Sequence, residues 1–293
     1  MNVLEKLRKI AQVFEESGIE NPAKEAEILI AGALPIGPSE LYRGDRELSR
    51  EEASFLSSLA VRRAGGEPLQ YILGSVEFFG LKIHVGRGVL IPRPETELLV
   101  EETISLLAHR RPPFSILDLC AGSGCIALAL AKRFPEAEVY GTDASEAAMV
   151  YATQNAREND VRNVRFRLGN LFDPVRDMRF DCIVSNPPYI RREEIRTLQR
   201  EVRDFEPVEA LDGGPDGSAF YRSISKGAPR HLKDNGVLAL EIGYGQSREV
   251  ERLIRQAGFQ DIRIIKDFSG IERIITGMGN PVRSSGLTRA DML

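Results

Sequence analysis

Tryptophan is absent from this 293-residue chain, and cysteine and histidine occur only three times each. Cys120, Cys125 and Cys182 lie in apolar surroundings with neither disulfide-framework nor zinc-site spacing, so they read as reduced, buried thiols, and no metal is expected. The apolar runs, such as Cys125 to Ala131, fall far short of the roughly 20 residues that a membrane-spanning helix needs. The opening Met1-Asn2-Val3-Leu4-Glu5-Lys6 has neither the basic nor the apolar region of a secretory signal. A cytoplasmic protein without a membrane partner is therefore expected. A basic surplus is missing as well. The net charge is −4, which gives no footprint for gripping a long phosphate backbone, so no direct nucleic-acid partner is expected. No internal repeat or low-complexity tract is visible.

What is there is ordinary for a globular chain: 42% hydrophobic, 28% charged, and long enough for one large core plus a smaller unit. Residues 1–75 read as a small helical bundle. Val3, Leu4, Leu7, Ile10, Ala11 and Phe14 recur at helical spacing, with Gly18 as a stop signal. Asn21-Pro22 reads as the cap and first position of a second helix. Ser49-Arg50-Glu51-Glu52 fits the capping box of another, which Gly65-Gly66-Glu67-Pro68 ends. Through Glu77 the chain holds 9 Lys/Arg against 13 Asp/Glu, so this part carries the whole net charge. An acidic helical module suits a basic protein partner and equally describes an ordinary solvated surface.

Residues 76–92 carry two short strand patterns around Gly80 and read as a hairpin linking two domains. Pro94 is placed to open a helix through Leu98, Leu99, Val100, Ile104 and Leu107. Arg93, held between Pro92 and Pro94, reads equally as a functional cation or a solvated loop charge. From Phe114 onward strand and helix patterns alternate, which argues for an α/β domain with a parallel, doubly wound sheet over 93–278. Strands are expected at 114–119, 138–142, 164–168, 180–185, 236–242, 260–266 and 271–277. The gap Asp267-Phe268-Ser269-Gly270 is too short for a helical crossover, so the last two strands should pair antiparallel. Residues 279–293, polar and small, read as a flexible tail.

Two stretches carry chemistry. The first runs Ile116-Leu117-Asp118-Leu119-Cys120-Ala121-Gly122-Ser123-Gly124-Cys125-Ile126-Ala127, a strand, a glycine turn and a helix start. Its glycines let the backbone bend sharply and a ligand come close, and the helix start offers oriented N–H groups. Asp143 follows at the end of the next strand, where a carboxylate can accept both hydroxyls of a ribose. The spacing Gly122-x-Gly124-x-x-Ala127 also satisfies a dinucleotide fingerprint. S-adenosylmethionine is favoured over it on two grounds. Asp118 lies just before the turn, where a carboxylate suits a methionine moiety and repels a pyrophosphate. The second stretch is also of no evident use to a dehydrogenase.

That second stretch is Asp181-Cys182-Ile183-Val184-Ser185-Asn186-Pro187-Pro188-Tyr189. Ile183 and Val184 read as the end of a buried strand, which two prolines without N–H groups must stop at Asn186. The result is a stiff corner at a strand's C-terminal edge, where open α/β sheets bind ligands. The Asn186 side-chain oxygen and the Pro187 carbonyl can each accept an N–H of a planar amide, and Tyr189 can cover its flat face. Read alone, Asn-Pro-Pro-Tyr is also a simple loop punctuator.

With these stretches in view, the chain resembles the glutamine methyltransferases of peptide chain release factors, the PrmC/HemK family, over nearly its full length. The resemblance rests on Gln70-Tyr71-Ile72-Leu73-Gly74, Leu90-Ile91-Pro92-Arg93-Pro94-Glu95-Thr96-Glu97, Asp118 to Gly124 and Ser185-Asn186-Pro187-Pro188-Tyr189-Ile190. Glu206-Pro207-Val208-Glu209-Ala210-Leu211-Asp212-Gly213-Gly214 and Leu240-Glu241-Ile242-Gly243 add to it. It implies a class I, Rossmann-like methyltransferase fold with a seven-stranded, mostly parallel sheet and an N-terminal helical domain that recognises the substrate protein. It implies S-adenosyl-L-methionine as donor, S-adenosyl-L-homocysteine as product, and methylation of the Gly-Gly-Gln glutamine of release factors; a monomer is the expected state.

By the same resemblance Cys120, Ala121, Gly122, Ser123 and Gly124 form the methionine-side loop, with Asp118 nearby. Asp143 takes the ribose, and Asn170 and Leu171 lie along the adenine. Asn186 touches both cofactor and substrate; Pro187, Pro188 and Tyr189 complete the substrate clamp, with Asn186, Pro187 and Tyr189 as catalytic residues. Cys120-Ala121 stand where the family usually has Gly and a small residue, and Asn170 where an acidic residue is frequent.

Two competing classes follow from the same residues. The corner could hold an exocyclic amine of adenine or guanine, with Tyr189 stacked on a flipped base; the acidic N-terminal part argues against this. A cofactor-binding scaffold without chemistry is the other, and the intact Asn186-Pro187-Pro188-Tyr189 argues against that.

Overall fold

The computed structural model describes residues 1–279. The tail expected over 279–293 lies, from residue 280 on, outside the described residues. The chain divides into two compact units. One comprises Met1–Val76, Val85–Arg87 and Thr197–Glu206; the other comprises Glu77–His84, Gly88–Arg196 and, from Pro207, the rest of the described residues.

The first unit is helical: α1 (Val3–Glu16), α2 (Pro22–Ala33), α3 (Pro38–Arg43), α4 (Arg50–Ala64) and α5 (Leu69–Leu73). Asn2 opens α1 by accepting the Glu5 N–H at 2.8 Å while the Glu5 carboxylate accepts the Asn2 N–H at 3.1 Å. Ser49 and Glu52 make the same reciprocal pair at the start of α4, at 3.0 and 2.9 Å. Each pair satisfies N–H groups that a helix start otherwise leaves open. Asn21 precedes α2 as expected, but it adopts φ 54° and its side chain does not cap. The helix α3 was not expected. Its signals are Pro38 at the first position and Glu40, whose carboxylate accepts the Gly37 N–H at 2.9 Å. Leu7, Ile10, Phe14, Leu29, Ile30 and Leu56 fill the core between these helices. Buried Arg63 is held by Glu25 at 2.5 Å and by Glu201 at 2.8 Å. Glu201 belongs to α9 (Arg200–Phe205).

Strands β1 (Ser75–Phe78) and β2 (Leu81–His84) form a small two-stranded sheet. Among the described residues the large sheet has seven strands: β3 (Ser115–Leu119), β4 (Glu138–Asp143), β5 (Val164–Leu168), β6 (Phe180–Ser185), β7 (Leu232–Glu241), β8 (Gln260–Lys266) and β9 (Glu272–Met278). Their order is β5-β4-β3-β6-β7-β9-β8. The first five pair parallel, and β9 runs antiparallel to both β7 and β8. The helices α6 (Pro94–Leu107), α7 (Cys125–Arg133), α8 (Glu146–Glu158), α10 (Ala219–His231) and α11 (Ser247–Gln256) complete the α/β unit. All six residues of β6 are buried, as a strand deep in a parallel sheet requires.

Strand β7 begins four residues earlier than the sequence pattern indicates. Leu232 pairs with Phe180, and the register then shifts so that Val237 pairs with Cys182. The extra residues hold Asn235 at φ 58° and bring Lys233 within 2.7 Å of Asp181. Polar residues fill this bulge, which is why it looked like loop.

Candidate active site

The two chemistry-bearing corners leave neighbouring strands at one level, since Leu119 and Ser185 are register partners and the Ser185 hydroxyl donates to the Leu119 carbonyl at 2.6 Å. After β3 the chain turns through Cys120 (φ 59°), Gly122 (φ 55°) and Gly124 (φ 80°), all in the left-handed region. A side chain on Gly124 would meet the Phe166 ring at 2.7 Å, so crowding adds to the demand for glycine there.

Carboxylates hold this turn. Asp118 is fully buried, and its Oδ2 accepts the N–H of Ala127 in the first turn of α7 at 3.1 Å. Among the described residues its Oδ1 meets no hydrogen-bond partner. Burial pushes the Asp118 carboxyl well above the usual carboxylate range. Asp143 accepts the Gly122 N–H with Oδ2 and the Ser145 N–H with Oδ1, both at 2.9 Å. Burial raises its pKa too, against those bonds. Asn155, fully buried on α8, donates to the carbonyls of Ser123 at 2.9 Å and His84 at 3.1 Å and accepts the His84 N–H at 2.7 Å. The far side of the turn is thereby tied to β2.

At the second corner the Asn186 Nδ2 donates to the Thr96 hydroxyl at 3.2 Å, and Thr96 donates to Glu241 Oε2 at 2.7 Å. The Tyr189 hydroxyl donates to Glu241 Oε1 at 3.4 Å, and its carbonyl accepts from Gln246 at 2.9 Å. The following segment folds back along the corner, with Ile190 donating to the Leu211 carbonyl and Gly213 to the Ile190 carbonyl at 3.0 and 2.8 Å. A side chain on Gly213 would sit 2.7 Å from the Tyr189 backbone, so glycine permits this close approach.

Both corners open on one cavity of about 370 Å³, within the range of small-molecule sites. Of the residues expected at the site, Cys120, Ala121, Gly122, Ser123, Asp143, Asn170, Leu171, Asn186 and Pro188 line it, and so does Arg93. Asp118, Gly124, Pro187 and Tyr189 are not among the lining residues. Asp118 lies behind the turn, and the Tyr189 ring packs against the hydrophobic core beneath α10 and α11. Val89, Thr96, Pro207, Glu209, Ala210 and Phe220 also line the cavity and were not singled out from sequence. Thr96 and Glu209 fall inside motifs already recognised; nothing local marks Val89 or Phe220.

A mostly parallel sheet with a glycine turn after β3, a carboxylate at the end of β4 and an Asn-Pro-Pro-Tyr corner after β6 defines an α/β methyltransferase. Residues 95–203 match the family described as Methyltransferase small domain, and residues 5–74 match the PrmC N-terminal domain. The release factor glutamine methyltransferase of Thermodesulfovibrio yellowstonii is 44% identical over 281 residues, covering 94% of this chain and 97% of that protein. The protein of the same name from Geobacter sulfurreducens is 45% identical over 263 residues, covering 89% and 91%. A solved methyltransferase from Pyrococcus furiosus shares the fold at a TM-score of 0.51 and 20% identity, covering 80% of this chain and 100% of that one. The chain belongs to the release factor glutamine methyltransferase family.

Proposed function

We propose that this chain moves a methyl group from S-adenosyl-L-methionine to the side-chain amide nitrogen of the glutamine in the Gly-Gly-Gln motif of bacterial peptide chain release factors, tuning translation termination. Family membership supports this reading, and one observation carries it at the site. Asn186 turns its Nδ2 toward Thr96, which leaves Oδ1 as the acceptor it can offer in the cavity shared with Gly122 and Asp143.

The residues present fit the donor. The Gly122 position is open, with only Val89 at 4.0 Å from where a side chain would begin, so a ligand can approach the backbone. Asp143 uses one lone pair of each oxygen on a backbone N–H and keeps others for ribose hydroxyls. Asn170 and Leu171 would border the adenine; an amide at Asn170 can both donate and accept there. Cys120 to Gly124 would hold the methionine side, with Asp118 fixing the helix behind them. When bound, the donor supplies a methyl group made electrophilic by its sulfonium.

A glutamine amide nitrogen is a poor nucleophile because its lone pair is delocalised into the carbonyl. Positioning therefore does most of the work. Asn186 Oδ1 and the Pro187 carbonyl would accept the two amide hydrogens, and Pro188 would line the clamp. Holding both reactants at near-attack distance supplies several kcal/mol, up to roughly 7–11 in ideal cases. The same acceptors stabilise positive charge growing on nitrogen, so they bind the transition state more strongly than the ground state. The proton leaves to water afterwards. Tyr189 supports the corner through Glu241 and Gln246. The expected partner is the release factor itself, bound by a monomer in the cytoplasm.

Incubation with release factor and methyl donor, followed by mass spectrometry of the Gly-Gly-Gln peptide, tests the proposal. One added methyl on that glutamine is expected; methyl transfer to DNA or rRNA with an unmodified release factor would overturn it.

A further inference from the structure

We propose that Thr96 and Glu241 decide which way round the Asn186 amide is held, and that they are positioning residues for methyl transfer. This rests on the acceptor role assigned to Asn186 above. A side-chain amide fits a site in two orientations related by a half-turn, and only one presents oxygen to an incoming N–H. Both Thr96 and Glu241 sit in sequence motifs that had no role of their own.

The direction of the bonds settles the orientation. Thr96 has one hydroxyl hydrogen, and it goes to the Glu241 carboxylate at 2.7 Å. The Thr96 oxygen can then only accept, and the group facing it at 3.2 Å is Asn186, which must present Nδ2. Oδ1 is left for the cavity. Thr96 and Glu241 are both 2% exposed, so the bond between them is shielded from water. The carboxylate at the end of the chain thus dictates the polarity of an amide two bonds away.

Protonation of Glu241 would reverse the chain. A Glu241 O–H can donate to Thr96, which frees the Thr96 hydrogen to point at Asn186. The amide then turns Oδ1 inward and Nδ2 outward, placing a donor against the donors of the substrate amide. Burial pushes Glu241 up to about 7, so this reversal falls within an accessible pH range. The groups facing Glu241 are Thr96 and Glu95 from α6, Tyr189 from the corner and Arg273 from β9. The thiol of Cys125 on α7 and the hydroxyl of Tyr221 on α10 also feel its charge.

The test is the pH profile of kcat with release factor, for wild type, Thr96→Val, Thr96→Ser and Glu241→Gln. Thr96→Val should lower kcat about 10- to 100-fold with little change in the KM for the methyl donor, and Thr96→Ser should recover most of it. Wild type should lose kcat as pH falls through about 7, and Glu241→Gln, whatever its plateau, should lack that acid limb. A Thr96→Val enzyme with wild-type kcat, or an acid limb that persists in Glu241→Gln, would overturn the proposal.

A second measurement needs no chemistry. In the full chain the Asn186 side-chain amide resonances, identified by their loss in Asn186→Ala, should shift with pH at the midpoint of the acid limb and stop shifting in Glu241→Gln. A pH-independent signal would overturn the proposal even if release factor proved not to be the substrate, so the two failures are distinguishable.

Discussion

Asp143 accepts the backbone N–H of Gly122 at 2.9 Å, so the carboxylate that ends β4 holds the turn that ends β3. The same carboxylate is proposed to take the ribose hydroxyls, and the bond to Gly122 sets its direction in advance. Asp143→Ala should weaken cofactor binding about 10- to 100-fold, by losing both the acceptor and the fixed turn. Calorimetric titration with S-adenosyl-L-homocysteine would measure this; an unchanged Kd would remove Asp143 from the site.

Asn186→Ala addresses the substrate side. Most turnover should be lost, on the order of 100-fold or more, because the acceptor that orients the glutamine amide is gone. Donor affinity should fall only modestly, since the glycine turn and Asp143 remain. Near-normal turnover would rule the role out.

The glycine turn makes a stability prediction. Gly124→Ala puts a methyl group 2.7 Å from the Phe166 ring at a backbone of φ 80°, so both crowding and backbone strain oppose it. A loss of about 2 to 4 kcal/mol is expected in denaturant unfolding. Cys120→Gly should have the opposite sign. Cys120 holds φ 59° at a position where glycine pays no steric cost, so the variant should unfold no more easily than wild type.

Asp118 predicts a slope of stability with pH. Burial raises its folded pKa above the unfolded one, so between the two values the native state keeps a proton that the unfolded chain has released. Stability should therefore fall as pH rises through that window. Asp118→Asn keeps an acceptor for the Ala127 N–H and cannot ionise. Its unfolding free energy, followed from acid to neutral pH, should gain on wild type as pH rises. Two parallel curves would show that Asp118 does not titrate in this way.

Much of this was legible in the sequence, for physical reasons that can be named. The glycine turn, Asp143 and the Asn186-Pro187-Pro188-Tyr189 corner are local patterns, because the residues that bend the chain are neighbours in it. The antiparallel pairing of β8 and β9 followed from a four-residue gap. The Asn186–Thr96–Glu241 chain was not legible, since its members lie 90 and 145 residues apart and meet only when α6 packs on β7. Asn155 hid in the same way: a polar residue in an amphipathic helix looks solvated until β2 and Ser123 close over it. The Tyr189 ring lies toward the core, where its hydroxyl donates to Glu241 while Gln246 holds its backbone carbonyl.

The strand order also divides labour. Most of what is proposed to hold the donor comes from β3, β4 and the loop after β5, on one side of the line between β3 and β6; the acceptor clamp comes from β6 and the chain beyond it, with Asn186 shared and Thr96 of α6 orienting it. The two halves meet at Asn186, which lines the cavity beside Gly122 and Asp143. A lineage could reshape the methyl-acceptor pocket chiefly in the segments after β6, while inheriting the glycine turn and Asp143 intact.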